Sequence, residues 1–418
     1  MSVSAPGSVV IIGGGVIGIA CAHYLAEDGF SVTIVESGSM AAACSYGNCG
    51  YICPSHALPL TEPAALRDGV ASLFNPTAPF RFKPRLEASF INWMWQFAKR
   101  CNHSTLVQNG HRLDAILRSS MAEYDRLTSG VLSDAEWKRT GLLYAFETAK
   151  AADQFGRTAR LLQDTYSIES KWLDADELRE FEPALKSGLN GGFHFADDAS
   201  LRPDRLNSQW IQHLRHKGVR ILENTAVSRI ERRGNAITRL VTSQGELTAD
   251  HFVLAAGAVS GKVAQLYGSN LPIEPGKGYS ITMSRPKNAP KVPMLFLEHH
   301  VGISPFEGGL RAGSMMEFVG FDTAIPAYRV QQLRDAAARY LACDLPKTNT
   351  EQWYGWRPMT WDSLPIIGVQ DGIDNLTCAT GHNMLGMSLA PATGKLVAEL
   401  VQGKAPHIDP LPYSPNRF

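Results

Sequence analysis

The hydrophobic pattern changes period several times along the chain, and each change marks an element. Residues 9–12 read VVII, β-branched and apolar on both faces, the pattern of a strand covered on both sides. Three glycines follow. A helix-length run, VIGIACAHYLAEDG, then stops at Gly29, and SVTIVE forms a second β-branched strand ending on Glu36. Residues 252–256 repeat the doubly apolar pattern and end at Gly257, which predicts another central parallel strand beside the first. The first domain therefore resumes there, and the segment between is an insertion.

Elsewhere the pattern is helical or alternating. Residues 75–102 open with prolines that mark a rigid connection. They continue as a helix whose aromatic face holds Phe90, Ile91, Met94, Trp95, Phe97 and Ala98, flanked by Lys99 and Arg100. Such a face rests either in a membrane interface or in a core or interdomain contact. Residues 106–180 read as mainly helical and charged. Pro203 opens a helix with Leu206, Trp210, Ile211 and Leu214 on one side, and Gly218 stops it. From 219 to 258 three or four strands alternate, with turns at Gly234 and Gln244-Gly245, and from Leu271 the segments PIEPGKGYSITM and VPMLFLEHHVGISPFEGGLRAGSMMEFVGFD predict antiparallel strands. Near the C-terminus, NLTCATGHNMLGMSLAPATGKLVAELVQGK gives a strand, a turn around Gly381 and Gly386, and a helix with Leu396, Val397, Leu400 and Val401 inward.

With 418 residues the chain buries a substantial core and divides into about two or three domains. Its 40 basic and 40 acidic residues cancel, which removes the electrostatic case for nucleic acid and points to small molecules. Seven scattered cysteines predict a reduced, cytoplasmic protein rather than a disulfide framework. Cys44, Cys49 and Cys53 are one residue off a plant-type iron–sulfur spacing, but no partner cysteine follows, so no metal site is assigned. The glycine-broken run at the N-terminus reads as strand and turn, not as a signal peptide or membrane span.

The candidate chemistry starts at the first turn. Gly13, Gly15 and Gly18 occupy the G-x-G-x-x-G positions between a strand and a helix, with Val16 and Ile17 in the helix's first turn facing a dinucleotide pyrophosphate. Glu36 stands where a carboxylate accepts ribose hydroxyls and would repel a 2′-phosphate, which favours FAD or NAD over NADP. The small-residue loop SGSMAAACSYGNCGYICPSH lets backbone approach a planar ring, with Ser45, Asn48, Cys49 and Gly50 as ring contacts. His56 is the first histidine near enough to reach an active site, or else a loop histidine bonded to backbone. Val227, Ala256 and Gly257 extend the dinucleotide set, as do Gly381, Met384, Leu385, Gly386 and Met387 at the start of the C-terminal helix, whose positive end suits a reduced, anionic ring. Tyr279, His300 and Arg311 are candidates to line a substrate pocket on the antiparallel sheet. Arg357 lies between an aromatic and a proline in YGWRPMTWDSLPIIG, followed by Asp362 and a strand-like PIIG.

Taken together, the N-terminal fingerprint, SYGNCGYICPSH, APFRFKPRLEASFINWMWQF, PGKGYSITM, GWRPMTWDSLPIIG and ATGHNMLGMSLAPATGKLVAEL resemble the glycine oxidase and D-amino acid oxidase superfamily of FAD enzymes. Within it they resemble bacterial D-amino acid dehydrogenases and D-hydroxyproline dehydrogenases, over essentially the whole chain. The resemblance implies an α/β fold: a Rossmann-like FAD-binding domain of the glutathione-reductase type 2 class and an α+β substrate domain on a mixed, mainly antiparallel sheet. The expected boundaries are 1–84, 196–266 and 350–418 for the first, and 85–195 and 267–349 for the second. It implies oxidation of an amine beside a carboxylate, with hydride leaving Cα for flavin N5 and water hydrolysing the imine if it is not cyclic. Arg357 matches the family's carboxylate-binding arginine, the alternative for it being an ion pair with Asp362. Where some relatives carry a second arginine this chain reads GHNMLG, so Tyr279 or His382 is expected to complete carboxylate capture, and no general base is named. Gly355 replaces the cysteine of covalent relatives and no histidine falls between 40 and 51, which implies non-covalent FAD.

The expected activity is therefore dehydrogenation of a D-amino acid, of proline or hydroxyproline type among others, with electrons passing to a quinone or another carrier. The alternatives are an oxygen-using oxidase of glycine, sarcosine or another secondary amine, and a flavin-binding subunit of a larger complex. The expected location is cytoplasmic, with peripheral contact at the inner face of the cell membrane left open.

Overall fold

The structure, a computed structural model, describes residues 7–63, 65, 78 and 80–418. In chain order it begins with β1 (Ser8–Ile12), α1 (Val16–Glu27), β2 (Ser31–Val35), β3 (Tyr51–Ile52), β4 (Phe80–Phe82), α2 (Ala88–Arg100) and α3 (His103–Thr128). Next come β5 (Leu142–Phe146), α4 (Ala149–Tyr166), β6 (Lys171–Asp174), α5 (Ala175–Phe181), β7 (Gly191–Phe195), β8 (Ala199–Ser200) and α6 (Pro203–His216). Then follow β9 (Arg220–Leu222), β10 (Val227–Arg233), β11 (Ala236–Thr242), β12 (Gly245–Leu247), β13 (His251–Leu254) and α7 (Ser260–Gln265). The last part holds β14 (Ile273–Ser284), β15 (Met294–Phe296), β16 (Val301–Phe306), β17 (Gly309–Phe318), α8 (Ala327–Tyr340), β18 (Glu351–Thr360), β19 (Ile366–Val369), β20 (Leu376–Thr380) and α9 (Gly386–Gln402).

One sheet has the order β19-β20-β13-β1-β2-β9, and all its pairings are parallel except β19 with β20. Its central strands are apolar on both faces because both faces are covered. Val9, Ile11, Val253 and Ala379 pack with α1 and α9, while Val10, Ile12, Phe252, Leu254 and Cys378 pack with the β10–β12 meander and α7. The expected return of the chain at 252–256 is thus a strand paired in register with β1, Val10 opposite Phe252.

The second sheet runs β18-β14-β17-β16-β15-β5-β7-β6, with β4 added parallel to β17. It is mixed, as expected: β15 pairs parallel with β5, and the long strands are antiparallel. The 106–180 region, mainly helical as expected, also holds the buried strand β5 and the edge strand β6, of which only Leu173 is buried; LLYAF is short, apolar and ends before a helix cap at Thr148, a pattern masked by the charged helices around it. The sheet also draws strands from either side of residues 84 and 350: β4 pairs with β17, and β18 pairs with β14 over its whole length.

The aromatic face of α2 also differs. Phe90, Trp93 and Phe97 are the buried residues, packed on Phe318, Met316 and Met359, whereas Ile91 and Trp95 face outward. Spacing of three and four from Phe90 selects Trp93 and Phe97, and Trp93 donates its indole N–H to the carbonyl of Pro272 at 3.1 Å. Of the prolines expected to stiffen the approach to this helix, Pro76 and Pro79 lie outside the described residues. Among the described residues no helix is long and apolar enough to cross a membrane.

Candidate functional site

The nucleotide side is built where the parallel strands end. Gly13 has φ +113°, and a Cβ there would overlap the Ala255 carbonyl just beyond β13; a Cβ on Gly18 would overlap the Gly13 carbonyl. At Gly15 a Cβ would meet only Ser45 Oγ, at 3.4 Å, so the backbone lies open there. Gly15 is the N-cap of α1 without a side-chain cap, no acid lies in the first turn with Val16 and Ile17, and the Val16 N–H donates to Ser45 Oγ at 3.0 Å. The helix dipole, with no acid in the first turn to oppose it, suits an anionic pyrophosphate. Glu36 accepts the Gly14 N–H on one carboxylate oxygen and the Gly38 N–H on the other, each at 2.8 Å, which fixes the acid beside the turn with lone pairs left for hydroxyls. The Thr225 N–H donates to the Glu36 carbonyl at 2.7 Å, which brings the start of β10 and Val227 to the same edge. Ala256 and Gly257 follow β13, and a Cβ on Gly257 (φ +54°) would meet nothing within 4 Å.

A second uncapped helix start faces the same edge. β20 leads through Gly381 (φ +69°), Met384 and Leu385 into Gly386 and Met387 of α9, whose N-cap Leu385 makes no side-chain bond and whose first turn holds no acid. The turn is fixed by Asn383: its Oδ1 accepts the Thr360 N–H at 2.9 Å, and its own N–H donates to the Pro358 carbonyl at 3.1 Å. Two helix N-termini without internal counter-charge, an open glycine and a ribose-type acid fit an FAD that spans the edge.

The loop after Glu36 crosses from this edge to the second sheet. Asn48 closes it locally, its Oδ1 accepting the Gly50 N–H at 2.6 Å, and Gly50 (φ +76°) would overlap the Leu201 carbonyl if it carried a Cβ. Cys49 donates no structure of its own: its carbonyl accepts Ser304 Oγ–H at 2.6 Å, and Sγ lies where a Cβ on Gly313 would come within 2.9 Å.

The sheet face under this loop has been cleared of large side chains. Along β14, Tyr279, Ile281 and Met283 pack into the core against α8, so Gly276, Gly278, Ser280 and Thr282 face the loop. Arg357 sits opposite Gly276 on β18, on that same face, and its guanidinium crosses over Gly278, where any Cβ would overlap it. Its Nη1–H donates to the Met315 carbonyl at 2.7 Å. Met315 has φ +69° inside an irregularity of the β14–β17 register, and this bulge turns its carbonyl toward the arginine. Among the described residues no carboxylate lies within ion-pair reach of Arg357. Asp362 is paired instead with Arg417, at 2.7 Å, so the alternative partnership of Arg357 with Asp362 is not made. Burial pulls the Arg357 pKa below the ordinary guanidinium value, and burial pushes the nearby Cys44 and Cys49 thiols up, so they supply no anion.

Five other candidates offer no free group on this face, four because they lie elsewhere and Arg311 because it is already engaged. Tyr279 points to the opposite side of the sheet, with its hydroxyl on the Glu317 carboxylate, because it lies one residue out of phase with Gly278. Arg311 shares the face but is consumed: it donates to the Tyr46 and Asn48 carbonyls at 3.1 and 2.8 Å and to Thr282 Oγ1 at 3.0 Å, which anchors the loop rather than a ligand. His300 is exposed in the β15–β16 turn with φ +49°. His382 is buried, its Nε2 at 3.0 Å from Thr393 Oγ1 of α9, and burial brings its pKa down to about 3. His56 lies 3.0 Å from the Tyr144 hydroxyl, and burial lowers it to about 4, so both histidines stand neutral.

Other residues join the site without having been expected there. Trp353, two positions from Gly355 and four from Arg357, lies on the same face and fills the space between Gly47 and Gly355; counting by twos back from Arg357 finds it. Asp198 accepts the N–H and Oγ–H of Ser55 at 3.0 and 2.5 Å and so ties the end of the loop to the strand bundle, with no sequence signal to announce it.

A doubly covered parallel sheet with an acid-closed glycine turn, joined by one small-residue loop to a cleared antiparallel face with an unpaired arginine, defines a dinucleotide-dependent oxidoreductase with a separate substrate sheet. Residues 8–400 match the DAO family, described as FAD dependent oxidoreductase, and the chain belongs to that family. It is similar to the D-amino acid dehydrogenase of Chromohalobacter salexigens, 30% identical over 98% of this chain and 99% of that protein, and to that of Neisseria gonorrhoeae, 30% identical over 95% and 96%. Among solved structures, glycine oxidase from Geobacillus kaustophilus superposes with a TM-score of 0.80 at 23% identity, covering 99% of this chain and 100% of that one.

Proposed function

We propose that this chain is a dehydrogenase of D-amino acids that binds FAD non-covalently and passes its electrons to a quinone or another carrier rather than chiefly to oxygen. The observation that carries the reading is Arg357: a guanidinium laid over Gly278 in a cleared face, holding one backbone carbonyl and, among the described residues, no carboxylate. Such a group is matched to the carboxylate of an amino acid, through a paired, charge-assisted hydrogen bond. The near full-length likeness to D-amino acid dehydrogenases supports the choice of substrate.

In this reading Gly13, Gly15, Val16, Ile17, Gly18 and the α9 start hold the dinucleotide, and Glu36 holds its ribose. FAD, when bound, supplies the two-electron acceptor for the substrate's Cα–H bond. The chain's own work is to orient. Arg357 fixes the carboxylate, Met315 fixes Arg357, Arg311 holds the loop in place, and Trp353 limits water. His56 and His382 are engaged elsewhere, so the substrate amine must arrive neutral or lose its proton to water. The outward face of α2, with Ile91 and Trp95 exposed and Lys99 Nζ 4.9 Å from the Trp95 ring centre, together with the exposed Leu86 just before the helix, supports peripheral contact with a membrane that holds the acceptor.

The test is anaerobic mixing of the yellow protein with D- and L-amino acids, hydroxyproline isomers, glycine and sarcosine, followed by admission of air. Bleaching by a D-amino acid with slow recovery in air is the expected result. Fast recovery makes the protein an oxidase, and no bleaching by any amine makes it a flavin-binding subunit.

A further inference from the structure

Away from the flavin edge, three side chains converge where α1 ends against α6. His23 and Glu27 are four apart on α1 and so share a face, and His213 reaches them from α6. One ligand atom from each lies within 4.8 Å of the other two, and His23 Nε2 is 3.5 Å from Glu27 Oε2. The edge of a tetrahedral site with bonds of about 2.0–2.1 Å is about 3.4 Å, so this spacing needs little adjustment.

The hydrogen bonding of this cluster is unfinished. His23 is 1% exposed, yet among the described residues neither of its ring nitrogens has a hydrogen-bond partner, and His213 Nε2 is also buried without one. A buried donor or acceptor left open costs about 1–3 kcal/mol, and a folded protein rarely leaves three together. Burial first, then His213, draws the His23 pKa down to about 3, so the ring is neutral, the form that coordinates. Its ring meets His213 at 5.3 Å and Trp210 at 5.7 Å, which fixes its plane.

We propose that His23, His213 and Glu27 form a binding site for a divalent transition metal of the zinc class, with water as the fourth ligand, clamping the C-terminal end of the nucleotide helix α1 to α6. The ligand set is two imidazoles and a carboxylate, nitrogen and oxygen in the ratio that zinc accepts with an open position. Glu27 is exposed and provides the entry path. Arg126 lies 3.9 Å from the same carboxylate and competes for it. The site is independent of the flavin reaction, and its role is to lock two helices together.

Zinc added to metal-stripped holoenzyme, followed by dialysis, metal analysis and zinc X-ray absorption, tests this directly. The expected result is one retained zinc per chain, with nitrogen and oxygen neighbours at about 2.0–2.1 Å and the scattering signature of two imidazoles, together with a higher Tm. His213→Gln and Glu27→Gln should weaken binding by more than the about 10- to 100-fold typical of outer-shell losses, and Arg126→Gln should strengthen it. Sulfur neighbours at about 2.3 Å would assign the metal to the cysteines and overturn the proposal. So would failure of wild-type holoenzyme to retain zinc, or unchanged affinity in His213→Gln with its FAD content intact.

Discussion

The glycine turn at 13–18 and the arginine slot at Gly278 both use missing side chains, but they are built on opposite principles. At the turn, glycine is required by the protein's own backbone: Gly13 and Gly18 would overlap the Ala255 and Gly13 carbonyls. Everything needed for that close packing lies within a few residues or on the neighbouring strand. At the slot, glycine makes room for the Arg357 guanidinium, which arrives from a different strand 79 positions later, and the partner carbonyl comes from a bulge on a third strand. Damage to the first should therefore reach fold and cofactor together. Damage to the second should spare both and strike substrate alone.

Gly18→Val breaks the comparison most severely: a loss of about 3–5 kcal/mol in stability, with FAD no longer retained, read by denaturant unfolding and the flavin-to-protein absorbance ratio. Gly278→Val displaces Arg357 and leaves the turn intact. It should keep FAD and raise the half-saturating substrate concentration by about 30-fold, about 2 kcal/mol, in anaerobic titration. If FAD is lost as well, the two regions are not separable in this way.

Asp198 sharpens the comparison through pH. Burial lifts its pKa from 3.8 to about 7, although the Ser55 hydrogen bonds oppose the shift. Between those values the folded chain holds a proton that the unfolded chain releases, so stability falls as pH rises through that window and the loss is complete above about 7. Three units set a ceiling of about 4 kcal/mol, of which relaxation and water leave about 1–2 kcal/mol. Asp198→Asn should flatten the slope of Tm between pH 5 and 8, while a slope equal to wild type would remove Asp198 from the account. The smallest effect belongs to Ser45→Ala, which deletes the bond to the Val16 N–H: about 0.5–1 kcal/mol of FAD affinity or stability, measured by flavin titration.

The same contrast explains what could be read from sequence. The turn, its helix and the return of the chain at 252–256 were legible because periodicity, glycines and the acid at Glu36 are local signals. The motif around Arg357 and the composition of the loop after Glu36 singled out segments that the structure places over one face of the second sheet. Tyr279 was misassigned because nothing in PGKGYSITM says which phase of the alternation faces the site until the register with β18 is known, and that register places the small residues there. Arg311 shares the correct face, but its donors are claimed by carbonyls of a loop more than 260 residues away. The Met315 bulge and the Ser55–Asp198 tie leave no sequence trace, since a bulge is a property of a pair of strands.

The central claim is that Arg357 is held ready for a substrate carboxylate, and anaerobic titration of wild type and Arg357→Ala with a D-amino acid tests it most directly. The account predicts that the variant keeps its FAD spectrum and thermal stability, while the concentration that half-bleaches the flavin rises by about 100-fold or more. An Arg357→Ala protein that bleaches at the wild-type concentration would contradict it.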